Sequence, residues 1–183
     1  MIKVIKFSES KKNKWDSFVN SSNNGTIFHL RRFLSYHPKE RFVDHSLLFY
    51  KRAKLIGVIP AAVKKISNKT LFISHPGLSV GSLVVQESLS ISDSLSLVKT
   101  FVNYVCERGF DGARITLSPI VYQKRFSNYM EFSFFKYGFK YSKRELSSVL
   151  VLEKDLEINL KKFRPSHLRA VKSALKKNIE VKK

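Results

Sequence analysis

Cysteine is nearly absent, since Cys106 is the one thiol in 183 residues. That excludes an internal disulfide and any site built from a cysteine cluster. Glycine (7) and proline (5) are scarce, and no low-complexity linker divides the chain. Acids number 14 against 34 Lys and Arg, so no carboxylate pair suggests a two-carboxylate mechanism. No apolar run reaches membrane-spanning length. The longest, residues 55–63, contains Gly57 and Pro60 and reads as a strand. The start, MIKVIKFSESKK, is too interrupted for a secretory leader. A cytoplasmic location is the expectation.

What is present is apolar, aromatic and basic. Hydrophobic residues make up 43% and include 15 Phe and 7 Tyr, enough to fill a packed core. Cys106 falls in an apolar helical pattern and is expected as a reduced core thiol. The formal net charge of +20 favours an anionic partner: nucleotide phosphates, nucleic acid or an anionic lipid surface.

Residues 2–7 read as a strand. Ser8 and Ser10 are candidate caps for a helix whose inner face is Trp15, Phe18 and Val19. Leu30, Phe33, Leu34 and His37 predict a second helix that Pro38 ends. Residues 43–50 and 55–63 flank a hairpin turn at 51–54. Residues 71–73 and 83–85 read as short strands around a loop at 74–81. Val98, Phe101, Val102 and Val105 predict a helix from about Ser92, with Gly109 just past its end. A strand at 112–117, a helix through Phe126, Met130, Phe134 and Tyr137 closing at Gly138, a strand at 146–152 and a helix at 166–177 complete the order. Ile179-Glu180-Val181 alternates like a further strand. The expectation is an α/β domain with a central mixed sheet and flanking helices.

Metalloprotease, nucleophile-elbow, Walker and dinucleotide-binding motifs are all missing. The five histidines lack ligand spacing, so no metal site is expected. Three features carry chemistry. In the loop Ser74 to Gly81, Gly77 and Gly81 could let backbone N–H groups approach a phosphate, and His75 and Ser79 could donate hydrogen bonds. The same loop also reads as a plain connection. Pro119 to Tyr122 follows a strand end, where α/β sheets often line a crevice. Tyr122 there either presents its hydroxyl or packs at the core edge. Residues 161–183 hold nine Lys or Arg and one acid. On their helix Leu168, Val171 and Leu175 form an apolar stripe beside a basic one of Arg169, Lys172 and Lys176. That stripe suits a phosphate backbone, or a solvated face; contact with a membrane surface is a weaker possibility because the apolar face is small.

Several of these segments, in this order, resemble FemAB-like proteins of the GNAT N-acyltransferase superfamily. They are Trp15-x-x-Phe18-Val19, Gly25 to His29, Phe33-Leu34-x-Tyr36-His37, and Leu55 to Pro60. The series continues with Ser74-His75-Pro76-Gly77 and Gly81, Pro119 to Tyr122, Tyr137-Gly138-Phe139, and Arg169-Ala170-Val171-Lys172-x-Ala174. The resemblance spans nearly the whole chain. It implies a GNAT fold and transfer of an acyl or aminoacyl group to an amine, with acyl-CoA or aminoacyl-tRNA as donor. Implied acceptors are peptidoglycan, polysaccharide or other cell-envelope precursors. It implies that residues 1–160 are an N-terminal GNAT-like domain. Residues 161–183 would then be a basic helix leading into a second GNAT-like half that lies beyond this chain. The Gln/Arg-x-x-Gly-x-Gly/Ala pyrophosphate loop of GNAT enzymes is not present, and His75 to Gly81 occupies about its place. His75 and Tyr122 are the catalytic candidates. His75, Gly77, Ser79, Gly81, Pro119, Tyr122, Arg164, Arg169 and Lys172 are the substrate-binding candidates, the three cations for phosphates of a nucleotide-linked precursor or tRNA. The alternative is a non-catalytic basic module that binds nucleic acid.

Overall fold

The computed structural model describes residues 1–38, 40–146 and 148–177. Two compact units divide it, Met1–Lys143 and Arg144–Lys183; the sequence boundary at 160/161 falls inside the second. The order in the first is β1 (Ile2–Lys6), α1 (Lys12–Ser21), α2 (Arg31–Leu34), β2 (Val43–Asp44), β3 (Leu47–Lys51), β4 (Lys54–Ile59), β5 (Ala61–Ile66), β6 (Lys69–Ser74), β7 (Val84–Val85), α3 (Ile91–Glu107), β8 (Gly112–Arg114) and α4 (Tyr129–Lys136). The second holds α5 (Leu156–Lys161) and α6 (Pro165–Lys176).

The expected central sheet is two sheets. One runs β1-β3-β4-β7 and is antiparallel throughout. The other runs β2-β5-β6-β8, and its β6–β8 pair is parallel. Each long sequence run passes from one sheet to the other. The break in 43–51 is at His45-Ser46, and the break in 54–66 is at Pro60, which has no N–H to give a ladder. Ser46 bridges the break. Its hydroxyl accepts from the Ala61 N–H (3.1 Å) and from Arg31 Nη1 (3.0 Å), while the His45 N–H donates to the Ala61 carbonyl (2.8 Å). The β3–β4 turn puts Arg52 and Ala53 at φ 46° and 65°, the left-handed pair of a two-residue hairpin.

Two apolar clusters fill the first unit. Phe49, Phe72, Leu97 and Phe101 centre one, between the sheets, α3 and α4. Trp15, Leu48, Val58 and Val84 centre the other, beneath α1. The Trp15 indole N–H donates to the His29 carbonyl at 2.7 Å, so its buried polar edge is satisfied. α3 starts at a Ser90 cap that accepts from the Asp93 N–H, and Gly109 follows it at φ 71°.

Five expectations fail locally. The helix expected through Phe126 begins at Tyr129, and Phe126 is exposed ahead of it. Cys106 is exposed, because the buried face of α3 is Leu97, Val98, Phe101 and Val105, and Cys106 lies one step round the helix. The Ser8 hydroxyl meets Ser10 Oγ instead of capping, and α1 begins at Lys12 after a short 3-10 turn. The helix predicted through His37 is a single turn, α2. The described residues of 146–152 form no strand. Their side chains are exposed, and the Val151 carbonyl accepts from Lys162 Nζ (2.6 Å) instead of a neighbouring strand. The strand expected at 179–181 lies outside the described residues.

Candidate functional site

The parallel pair stops in register at Ile73 and Arg114. Beyond carboxyl ends like these, open sheets usually leave a crevice. Here residues 75–82 fold across that place. Ser74 Oγ accepts from the Thr116 N–H (2.8 Å), the Gly81 N–H donates to the Thr116 carbonyl (3.1 Å), and the Ser82 and Ser118 hydroxyls meet at 3.0 Å. Gly81 lies flat against the end of β6, where an added Cβ would stand 3.2 Å from the Ser74 carbonyl carbon. Its N–H is therefore committed to the protein, which removes it from the phosphate cradle that the loop's glycines suggested.

His75 is buried, and its N–H donates to the Pro60 carbonyl at 3.0 Å. Its Nδ1 lies 3.1 Å from the Pro76 carbonyl. A carbonyl can only accept, so Nδ1 carries the proton and Nε2 is the lone-pair nitrogen. Burial lowers the His75 pKa, against a smaller opposing effect of that hydrogen bond, and the ring is neutral at pH 7. The His37 ring stacks on it with centroids 5.8 Å apart, and the Phe42 ring stands edge-on to both at 5.1 Å. Gly77 turns the loop at φ 86°, with the His37 ring 3.1 Å from any Cβ placed there. In the sequence His37 reads as part of a helix stripe and of the Phe33-Leu34-x-Tyr36-His37 segment, and Phe42 carries no pattern. Their one signal was an aromatic and an imidazole around Pro38.

The remaining candidates are separate. Ser79 is exposed on the loop. Pro119 opens a 3-10 turn, Ile120–Tyr122, and accepts from the Tyr122 N–H at 3.1 Å. Tyr122 is 56% exposed, so its ring does not pack into the core. Arg164, Arg169 and Lys172 belong to the second unit. There Pro165 occupies the first turn of α6, Leu168 and Val171 are half-buried, and the three cations are exposed. Leu175, the last residue of the expected apolar stripe, is exposed as well.

Among the described residues no three His, Cys, Asp or Glu side chains gather to hold a metal ion. Nor is any helix among them long and apolar enough to cross a membrane.

By sequence, no family model and no curated protein matches the chain. Solved structures do match it by shape. A transcriptional regulator from Bacillus halodurans C-125 superposes with a TM-score of 0.52 at 11% identity, over 82% of this chain and 100% of that one. A protein described as a possible acetyltransferase from Clostridium difficile 630 gives 0.51 at 10% identity, over 84% and 99%. An aminoglycoside acetyltransferase from an uncultured soil metagenomic sample, in complex with trehalose, gives 0.51 at 12% identity, over 83% and 97%. At such identities the likeness is one of fold alone, and this chain has a GNAT-like fold of mixed α/β sheets with flanking helices.

Proposed function

We propose that the chain works as the N-terminal half of a FemAB-like acyl or aminoacyl transferase acting on an amine of a cell-envelope or polysaccharide precursor. The observation that carries this reading is a buried, neutral imidazole, His75, at the carboxyl end of β6 in an acetyltransferase fold. The chemistry needs a neutral amine and a proton acceptor. The amine nitrogen attacks the acyl carbonyl carbon, an N–C bond forms, and the C–S bond of a thioester or the C–O bond of a tRNA ester breaks. The amine's proton passes to His75 Nε2 and from there to the leaving thiolate or ribose oxygen. Gly77 and Ser79 shape the loop beside His75, and Gly81 seats it on β6. Pro119 and Tyr122, on their own 3-10 turn apart from His75, stay substrate-binding candidates, Tyr122 through its exposed hydroxyl. On the second unit, taken by itself, the exposed Arg164, Arg169 and Lys172 are the candidates for holding phosphates of a nucleotide-linked precursor or of tRNA. With Gly81 committed internally, aminoacyl-tRNA suits the chain better than acyl-CoA as donor.

Titration of the chain with aminoacyl-tRNA, acetyl-CoA and a UDP-linked, amine-bearing precursor tests the binding half of this reading. Saturable binding of at least one donor and of the precursor is expected. Absence of binding by all three overturns it. A second reading, a basic nucleic-acid module, draws on the exposed cations of α6 and on the regulator among the similar structures. It expects tight binding of generic RNA or DNA that falls steeply with salt, and no discrimination between charged and uncharged tRNA.

A further inference from the structure

The loop after β6 is fastened at both ends. At the near end the His75 N–H donates to the Pro60 carbonyl (3.0 Å). At the far end the Gly81 N–H donates to the Thr116 carbonyl (3.1 Å), and Ser74 Oγ accepts from the Thr116 N–H (2.8 Å). Between the two, Gly77 rests on the His37 and Phe42 rings. This closure has a cost at His37. Arg41 Nη1 lies 3.5 Å from His37 Nδ1. A guanidinium can only donate, so Nδ1 accepts and the proton is on Nε2. Nε2 is buried with no hydrogen-bond partner among the described residues. Gly77 covers it so closely that a Cβ there would stand 3.1 Å away. Lifting the loop lets water reach this N–H, which offsets part of the bonds lost.

At His75 the balance turns on one proton. The neutral ring stacks almost parallel on His37, with 13° between the planes and 5.8 Å between centroids. A protonated ring puts a cation in a buried place. Arg31 of α2 and His37 oppose that cation; Asp44 of β2 favours it, but Asp44 is already paired with Arg31. Arg41 adds a positive charge on the far side of His37. With the loop lifted, water solvates the same imidazolium, so the proton binds more tightly to the lifted form than to the closed one.

We propose that residues 75–81 form an acid-released strap: protonation of His75 parts the His37–His75 stack and lifts the loop from the carboxyl ends of β6 and β8. Burial lowers the His75 pKa in the closed form. Closure is therefore fully favoured above the ordinary imidazole value of about 6.5. It weakens as pH falls from there to the lowered value, by about tenfold per pH unit for one proton. The strap is separate from acyl transfer, since it is read with no donor or acceptor present.

Amide hydrogen exchange of the full chain by NMR, corrected for intrinsic rates, tests it alongside a titration of the His75 ring signals. Protection of the His75 and Gly81 amides falls by about tenfold per pH unit from about pH 6.5, and levels off below the pKa that the ring titration gives. These amides stay less protected than those of α3 throughout, as a local opening requires. The fall persists in His29→Gln, which removes a buried imidazole elsewhere, and is absent in His75→Gln. Loop protection that is flat across this range, or that is lost only together with that of α3, overturns the proposal. So does an unchanged fall in His75→Gln. Where that variant lifts the loop at every pH, the wild-type profile set against the ring titration decides.

Discussion

His29 and Asp44 show how burial sets charge state in the first unit. His29 is fully buried under the Trp15 cluster, and desolvation lowers its pKa to about 4 against weaker opposition from hydrogen bonds with Thr26 and Ser82. The unfolded chain takes up this proton near pH 6.5 and the folded chain only near 4, so stability falls as pH drops through that window. The whole shift corresponds to about 3 kcal/mol, and His29→Gln should flatten the decline in denaturation midpoints measured from pH 7 to pH 4. For Asp44, burial pushes the carboxyl upward, but Arg31 and the hydrogen bonds from Ser46 outweigh it and the pKa is lowered. Its contribution is present above pH 3.8, and it is lost as pH falls through the lowered folded value. Gly77 is the other residue under local constraint. Gly77→Ala must accept φ 86° and a ring 3.1 Å away, which should cost about 1–3 kcal/mol in urea unfolding.

Among the elements, the bent hairpin β2–β5 is the decisive one. It lets one pair of chain segments serve both sheets, and Ser46 is the hinge pin. Ser46→Ala removes the acceptor for the buried Ala61 N–H and for Arg31, so unfolding should be easier by about 1–3 kcal/mol. Denaturant midpoints for Ser46→Ala against Ser46→Thr, which keeps the hydroxyl, separate the hydrogen bond from simple packing. The sequence made the strands legible, because alternation and the 51–54 turn mark them. It did not reveal the switch between sheets, since that depends on a side-chain hydroxyl replacing a ladder bond at Pro60. α3 was legible from its cap, stripe and Gly109. The 146–152 run was not, because β-rich composition makes a strand only where a neighbour supplies hydrogen bonds. At the site, His75 could be picked out beside Pro76-Gly77, whereas His37 and Phe42 come to it through the chain reversal around Pro38.

Across the whole molecule, burial is confined to the first unit. Both apolar clusters lie within Met1–Lys143, and among the described residues of 144–177 no side chain is buried. Hydrogen exchange should therefore separate the two units. Amides of α3 and β4 should exchange slowly, and those of α5 and α6 faster by orders of magnitude; equal protection would mean that the second unit gains burial from a source other than its own residues. Basic charge does not divide the same way: residues 144–183 hold 11 Lys or Arg and 5 acids, a net +6, and residues 1–143 carry the other +14 of the +20.

The proposed reaction is amine acylation with His75 as the proton acceptor. Mass spectrometry of the precursor after incubation with the chain and aminoacyl-tRNA, or with acetyl-CoA, addresses it directly. A precursor heavier by one aminoacyl or acyl group is expected. His75→Gln, which preserves volume but not basicity, should slow product formation by about 10²–10⁴ while the chain still melts cooperatively. An unmodified precursor with both donors, or full activity in His75→Gln, would contradict it.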